Sequence, residues 1–136
     1  MMKYIITERQ SRLLEEPEKV LKIPSLKYFN NDWKVLQKFL ENRGNPPYSI
    51  SDNVHLAETP IESLGNLIKV RGNLYLYKTP IKSLGNLEYV GGYLDLRNSS
   101  IKSLGNLIKV RGNLYLRYTP LSETTSEDEI RSKVNV

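Results

Sequence analysis

From residue 51 onward the apolar residues recur with a period of 20, fixed by Leu64, Leu84 and Leu104. Inside one unit, Leu74 and Leu76 alternate with polar neighbours. That two-residue period predicts a strand with one face buried. From Ile81 the spacing changes to three, through Leu84, Leu87 and Val90. Three residues per turn suits a tight 3₁₀ or polyproline-like limb, which is too short to be an α-helix. Gly72, Gly92 and Gly112 precede the strands, Gly65-Asn66, Gly85-Asn86 and Gly105-Asn106 break the second limb, and Thr-Pro follows most strands. Each coil can bury its single stripe only against its neighbours, so the expected architecture is a solenoid.

The repetition extends to the wording. Residues 61–76, IESLGNLIKVRGNLYL, differ from residues 101–116, IKSLGNLIKVRGNLYL, at one position of sixteen, and IKSLGNLEYVGGYLDL lies between them at 81–96. Full units cover 51–70, 71–90 and 91–110, with a partial one at 111–121. Residues 74–87, LYLYKTPIKSLGNL, follow the spacing LxxLxLxxNxL. The chain therefore resembles leucine-rich-repeat proteins, with a unit as short as those of secreted bacterial effectors. Its regular LGNL…VGGYLDL wording looks like that of small repeat proteins of tailed phages and bacteria. The resemblance implies an α/β leucine-rich-repeat solenoid with a parallel β-sheet on one face, and a scaffold for recognition. Thr79 stands where that family usually has Asn, as do Thr59, Ser99 and Thr119. A hydroxyl satisfies fewer groups than an amide, so the turn must be weaker or differently built.

A stack has two open ends that need covers. Residues 1–50 are expected to form a helical N-terminal cap. In it, Thr7-x-x-Gln10 opens a short helix through Leu13 and Leu14 to Pro17. Asp32 opens a second helix, with Trp33, Leu36, Phe39 and Leu40 on one stripe, closed by Gly44 and Pro46-Pro47. Trp33 and Phe39 are expected to pack on the first coil. The solenoid spans 51–121, and 122–136 hold a capping helix begun by Ser126-x-x-Glu129 with Ile130 and Val134 four apart. Its acids, Glu127 to Glu129, suit the first helical turn.

Composition narrows the chemistry. With no Cys and only His55, there is no disulfide framework, Cys-ligated metal, Cys nucleophile or three-His site, and no cofactor or metal is expected. No apolar run approaches 18 residues, and MMKYIITERQ is too short and lacks a small-residue cleavage site for a signal peptide. A cytoplasmic protein without a membrane partner is expected, in a host cytoplasm or virion if phage-encoded. The net charge of +5 divides into +3 for residues 1–50, +4 for 51–120 and −2 for 121–136, with no polybasic run.

Candidate function comes from contrast within the repeat. Residues between the buried leucines point to the open face of the sheet, and stacking about 4.8 Å apart turns equivalent residues into ladders. One ladder is His55, Tyr75, Asp95, Tyr115; the next is Ala57, Tyr77, Arg97, Arg117. Glu58, Lys78, Asn98 and Tyr118 lie at the strand exit, and Asn53, Asn73, Tyr93 and Asn113 lie upstream. These positions vary from unit to unit while the core scarcely does. Tyr and Arg are favoured interface anchors. The partner-binding residues expected are thus His55, Tyr75, Tyr77, Lys78, Tyr93, Asp95, Arg97, Tyr115, Arg117 and Tyr118. On the other face Glu62, Lys82, Lys102 and Lys69, Glu88, Lys109 read as solubilising charge ladders.

The reading these residues favour is a non-enzymatic adaptor or inhibitor that binds a partner protein through the Tyr/Arg face. A second is single-stranded nucleic-acid binding, by tyrosines stacked beside Lys78, Arg97 and Arg117. A third is a structural subunit of a phage or bacterial assembly. Enzymatic readings have little to stand on. His55 has Glu58 and Asp95 near it but no nucleophile, and no GxxxxGK[ST] or GxGxxG motif occurs.

Overall fold

A computed structural model describes residues 20–136; the helix expected between Thr7 and Pro17 lies outside the described residues. The elements are β1 (Leu21–Ile23), a 3₁₀ turn (Leu26–Phe29), α1 (Trp33–Glu41), β2 (Tyr48–Ile50), β3 (Val54–His55), β4 (Leu67–Val70), β5 (Leu74–Tyr75), β6 (Tyr89–Val90), β7 (Leu94–Asp95), β8 (Lys109–Val110), β9 (Leu114–Tyr115), α2 (Pro120–Thr124) and α3 (Glu127–Lys133). They build a parallel-strand solenoid closed by short helices.

Each coil contributes one strand to each of two parallel sheets. The first sheet runs β1-β2-β4-β6-β8 and the second β3-β5-β7-β9. The second sheet carries the Leu-x-Leu strands in a strict 20-residue register, Leu74 beside Leu94 beside Leu114. Leu74 N–H donates to Tyr93 O at 2.8 Å and Leu76 N–H to Asp95 O at 2.8 Å, one coil further on. The first sheet replaces the expected 3₁₀ limb with strand pairing. From Ile81 the chain bridges Ser83 to Ser103, turns at Gly85-Asn86 and enters a strand at Tyr89. In an extended chain alternate side chains point inward, so a spacing of three requires a corner. Gly65, Gly85 and Gly105 supply it with φ of 63°, 57° and 57°. The hydroxyls of Ser63, Ser83 and Ser103 accept the N–H of these glycines at 3.0 Å, which accounts for the repeated Ser-Leu-Gly-Asn.

At the position where the resemblance to leucine-rich repeats leads one to expect Asn, a hydroxyl acts locally. Thr59, Thr79, Ser99 and Thr119 donate to the carbonyls of Leu56, Leu76, Leu96 and Leu116 at 2.6–2.7 Å. Each closes a turn whose preceding residue is left-handed: Glu58 (φ 59°), Lys78 (56°), Asn98 (59°) and Tyr118 (62°). Such a φ costs an L-residue with a Cβ about 1 kcal/mol, and Asn less. Glu58→Gly should therefore raise the unfolding free energy by about 0.5 kcal/mol in urea titration, once the entropy of glycine is subtracted. A decrease would show that the turn is relaxed.

The core is a column of Leu, Ile and Val. Leu74, Leu76, Ile81, Leu87, Val90, Leu94 and Leu96 are all fully buried. At its N-terminal end, Asp32 caps α1 by accepting Lys34 N–H at 2.9 Å, and Leu36 and Leu40 enter the core. Trp33 and Phe39 are partly buried against the core, and their ring partners lie within the cap itself: Trp33 is 6.4 Å from the Tyr48 ring and Phe39 edge-on to Phe29 at 5.0 Å. The expected cap also contains two sheet rungs, β1 and β2.

Tyr48 joins cap to coil. It is 1% exposed, its hydroxyl donates to Leu64 O at 2.8 Å, and it accepts from Gln37 Nε2 at 3.0 Å. Burial pushes its phenol pKa well upward, so the hydroxyl stays a donor. Tyr48→Phe strands the Leu64 carbonyl and should cost about 1–2 kcal/mol in denaturant unfolding. An unchanged midpoint would mean that water replaces the hydroxyl.

The C-terminal end has one more helix than expected. Thr119 and Ser122 form a reciprocal capping box around α2, and Ser126 Oγ accepts Glu129 N–H at 3.1 Å to start α3 as anticipated. Val134 is buried, and Asn135 then pairs with β8: Val110 N–H donates to Asn135 O at 2.9 Å and Asn135 N–H to Ile108 O at 2.8 Å. The chain end thereby closes the edge of the first sheet. No helix among the described residues is long and apolar enough to cross a membrane.

Candidate protein-binding face

Alternation along β3, β5, β7 and β9 turns Val54, Leu74, Leu94 and Leu114 toward the core side and sends the next residue of each strand outward. The register makes His55, Tyr75, Asp95 and Tyr115 one continuous ladder. His55 and Tyr75 lie face to face with ring centroids 4.5 Å apart and planes 10° from parallel. Asn73 Nδ2 donates to the Tyr75 hydroxyl at 3.0 Å, and Asn113 Nδ2 to that of Tyr115 at 3.0 Å. The repeated Asn-Leu-Tyr-Leu is the signal of this arrangement: a strand residue two positions upstream lies on the same face.

Asp95 interrupts the rings. It is 3% exposed, which differs from the exposed role expected for it. Its Oδ1 accepts Arg97 N–H at 3.1 Å and Arg97 Nε at 2.9 Å, and its Oδ2 accepts Arg97 Nη2 at 2.6 Å. These hydrogen bonds, then the carboxylate charge, raise the Arg97 pKa above its ordinary value. The guanidinium also lies over the Tyr115 ring at 4.9 Å. Asp95 is thus a positioning residue: it holds Arg97 flat and half-exposed, with Nη1 free of these bonds.

Around this centre the other expected residues fall into two groups. Tyr93 is 45% exposed at the upstream corner, edge-on to Tyr115 at 6.2 Å. Tyr77 precedes the left-handed corner in the same ladder as Arg97 and Arg117. Lys78 and Tyr118 occupy that corner itself, at the margin of the face. Lys78 pairs with Glu58 at 3.7 Å, with both side chains well exposed, and Arg117 lies 6.0 Å from the Tyr118 ring. The structure therefore gathers His55, Tyr75, Asp95, Arg97, Tyr93 and Tyr115, with Tyr77 and Arg117 beside them.

On the first sheet the register differs from the charge ladder expected. Tyr89, not Glu88, stands between Lys69 and Lys109, and Lys69 Nζ lies 4.8 Å from the Tyr89 ring. The 20-residue period requires this, because Lys69 plus 20 is Tyr89. Among the described residues no three His, Cys, Asp or Glu side chains come together as metal ligands. Comparison with models of protein families, with curated proteins and with solved structures finds no match for the chain.

Proposed function

We propose that the protein is a small non-enzymatic recognition module that binds a partner protein through the open face of its second sheet. The observation that carries this reading is the Asp95–Arg97–Tyr115 arrangement beside the His55–Tyr75 stack. It is a rigid patch of aromatic rings around one preorganised guanidinium, the composition favoured at interface centres. Rings held by Asn73 and Asn113 lose little rotamer freedom on binding, which lowers the cost of association. The resemblance to short leucine-rich repeats, including those of phages and bacteria, supports a scaffold of this kind, and a cytoplasmic location is part of the proposal.

Affinity capture from the native host tests it. Replacing Tyr75, Tyr77, Arg97 and Arg117 together by Ala should abolish recovery of a partner retained by the unaltered chain, with the melting temperature nearly unchanged. Capture that persists with the folded quadruple variant would sink the proposal.

The stacked rings beside cations also favour a second reading, single-stranded nucleic acid. Arg97 offsets Asp95, yet Lys78 is committed to Glu58 and no continuous basic track forms. Oligonucleotide affinity that falls steeply between about 50 and 200 mM salt would establish it, and no binding at the lower salt would dispose of it.

A further inference from the structure

The two sheets end differently at the C-terminal side. Asn135 pairs with β8 and closes the first sheet, whereas among the described residues nothing pairs with the outer edge of β9. In the earlier coils the equivalent backbone donors are used, and so is the Asn oxygen where the coil has one. Leu74 and Leu94 N–H donate to the next coil at 2.8 and 2.9 Å, Leu76 and Leu96 N–H at 2.8 and 2.9 Å, and Lys78 and Asn98 N–H at 3.0 and 3.1 Å. Asn53 Oδ1 accepts the N–H of Asn73 at 2.8 Å, and Asn73 Oδ1 that of Tyr93 at 2.7 Å. At the end of the stack, Leu114, Leu116 and Tyr118 N–H and Asn113 Oδ1 face the place of the next coil without partners among the described residues.

The side chains repeat the message. Leu74, Leu76, Leu94 and Leu96 are fully buried, while Leu114 and Leu116 are only partly covered. Together with Ile130, Arg131 and Val136 they line a cleft of about 350 Å³. The cleft is charged on one side. Arg131 is neutralised by Glu127 at 3.1 Å and Arg97 by Asp95 at 2.6 Å. Arg117 has Tyr115 where Arg97 has Asp95, and no carboxylate among the described residues meets it.

We infer that the β9 edge is a peptide-binding site that takes an extended segment of a partner as one further parallel strand, with apolar residues two apart and an acidic residue next to the second. The backbone of such a segment meets the same donors that each coil offers its successor, and an Asn amide like those that Asn53 and Asn73 offer theirs. Its two apolar side chains cover Leu114 and Leu116, and its carboxylate lies beside Arg117. The site adjoins the open face and shares Arg117 with it, while Asn113, Leu114 and Leu116 belong to the edge alone and test it independently.

A fluorescein-labelled peptide GNLYLEYT tests it; this is the rung sequence of residues 112–119 with Glu in place of Arg117. Fluorescence anisotropy with the full chain should show saturable binding. Leu116→Lys, which places a charge in the lining of the cleft at a partly exposed position, should weaken it about tenfold or more while thermal melting shows the chain still folded. Methylating the backbone nitrogen of the peptide Asn removes its donation to Asn113 Oδ1 and should weaken binding about fivefold. This second perturbation leaves the protein untouched. The peptide with Arg restored should bind several-fold more weakly. Absence of saturable binding, or equal binding of the methylated and unmethylated peptides, overturns the inference. So does sedimentation of the free chain as a dimer that Leu116→Lys dissociates, since the edge would then belong to a second copy.

Discussion

Gly105→Ala is expected to lower the unfolding free energy by about 3 kcal/mol, a loss of roughly 10 °C in melting temperature, whereas Gly85→Ala costs about 1 kcal/mol. The two glycines occupy the same turn of consecutive coils with the same φ of 57°. Each therefore imposes the same left-handed strain on an added Cβ. They differ in what lies below. A Cβ on Gly85 meets nothing within 4 Å, while one on Gly105 would stand 2.5 Å from Gly85 O and 2.8 Å from Gly85 N. Those are backbone atoms, and Gly85 O is already held by Asn106 N–H at 3.0 Å, so neither can yield cheaply. Differential scanning calorimetry of the pair separates strain from contact. Equal shifts would mean that the coils spread apart without cost.

Leu96→Ala is expected to cost about 3–4 kcal/mol, and Leu116→Ala about 1 kcal/mol, although both are the second leucine of the same strand motif. Leu96 is fully buried between coils, so truncation leaves a cavity that neighbours on both sides cannot fill without breaking register. Leu116 has a coil on one side only and the open cleft on the other, so most of its loss is transfer of a partly solvated side chain. Urea titrations of the two variants measure the difference. In a stack held by nearest-neighbour contacts, the position of a residue along the axis sets the cost as much as its chemistry does. Similar costs at both sites would show that the end coil is covered.

Much of this architecture can be read from the chain alone. A period of 20 aligned across three units forces equivalent residues into ladders, and the alternation of Leu74, Tyr75 and Leu76 tells which faces the core. The hydroxyl at 59, 79, 99 and 119 is visible as a departure from the Asn of leucine-rich repeats, but its bond to the carbonyl three residues back is a property of the left-handed turn. The first sheet was not legible. Its strands β6 and β8 have two residues each, too short to leave an alternation, and they pair with residues 20 positions away. Spacing by three looked like a tight helix because a corner and a helical turn both bring every third residue inward.

The candidate face divides in the same way. Asp95 and Arg97, two apart on a strand, share a side by alternation, so their proximity follows from the sequence. The burial of Asp95 does not, because it depends on Arg97 folding over it against the Tyr115 ring of the next coil. The open β9 edge is likewise invisible in a repeat whose last unit reads like its first. The period, the core stripe and the membership of each ladder follow from local alternation and exact repetition and are written in the chain. Which edge is closed and which carboxylate is buried are settled by the folded arrangement. Those outcomes depend on where the non-repeating ends fold back, Asn135 onto β8 and not onto β9, and no local pattern encodes that choice.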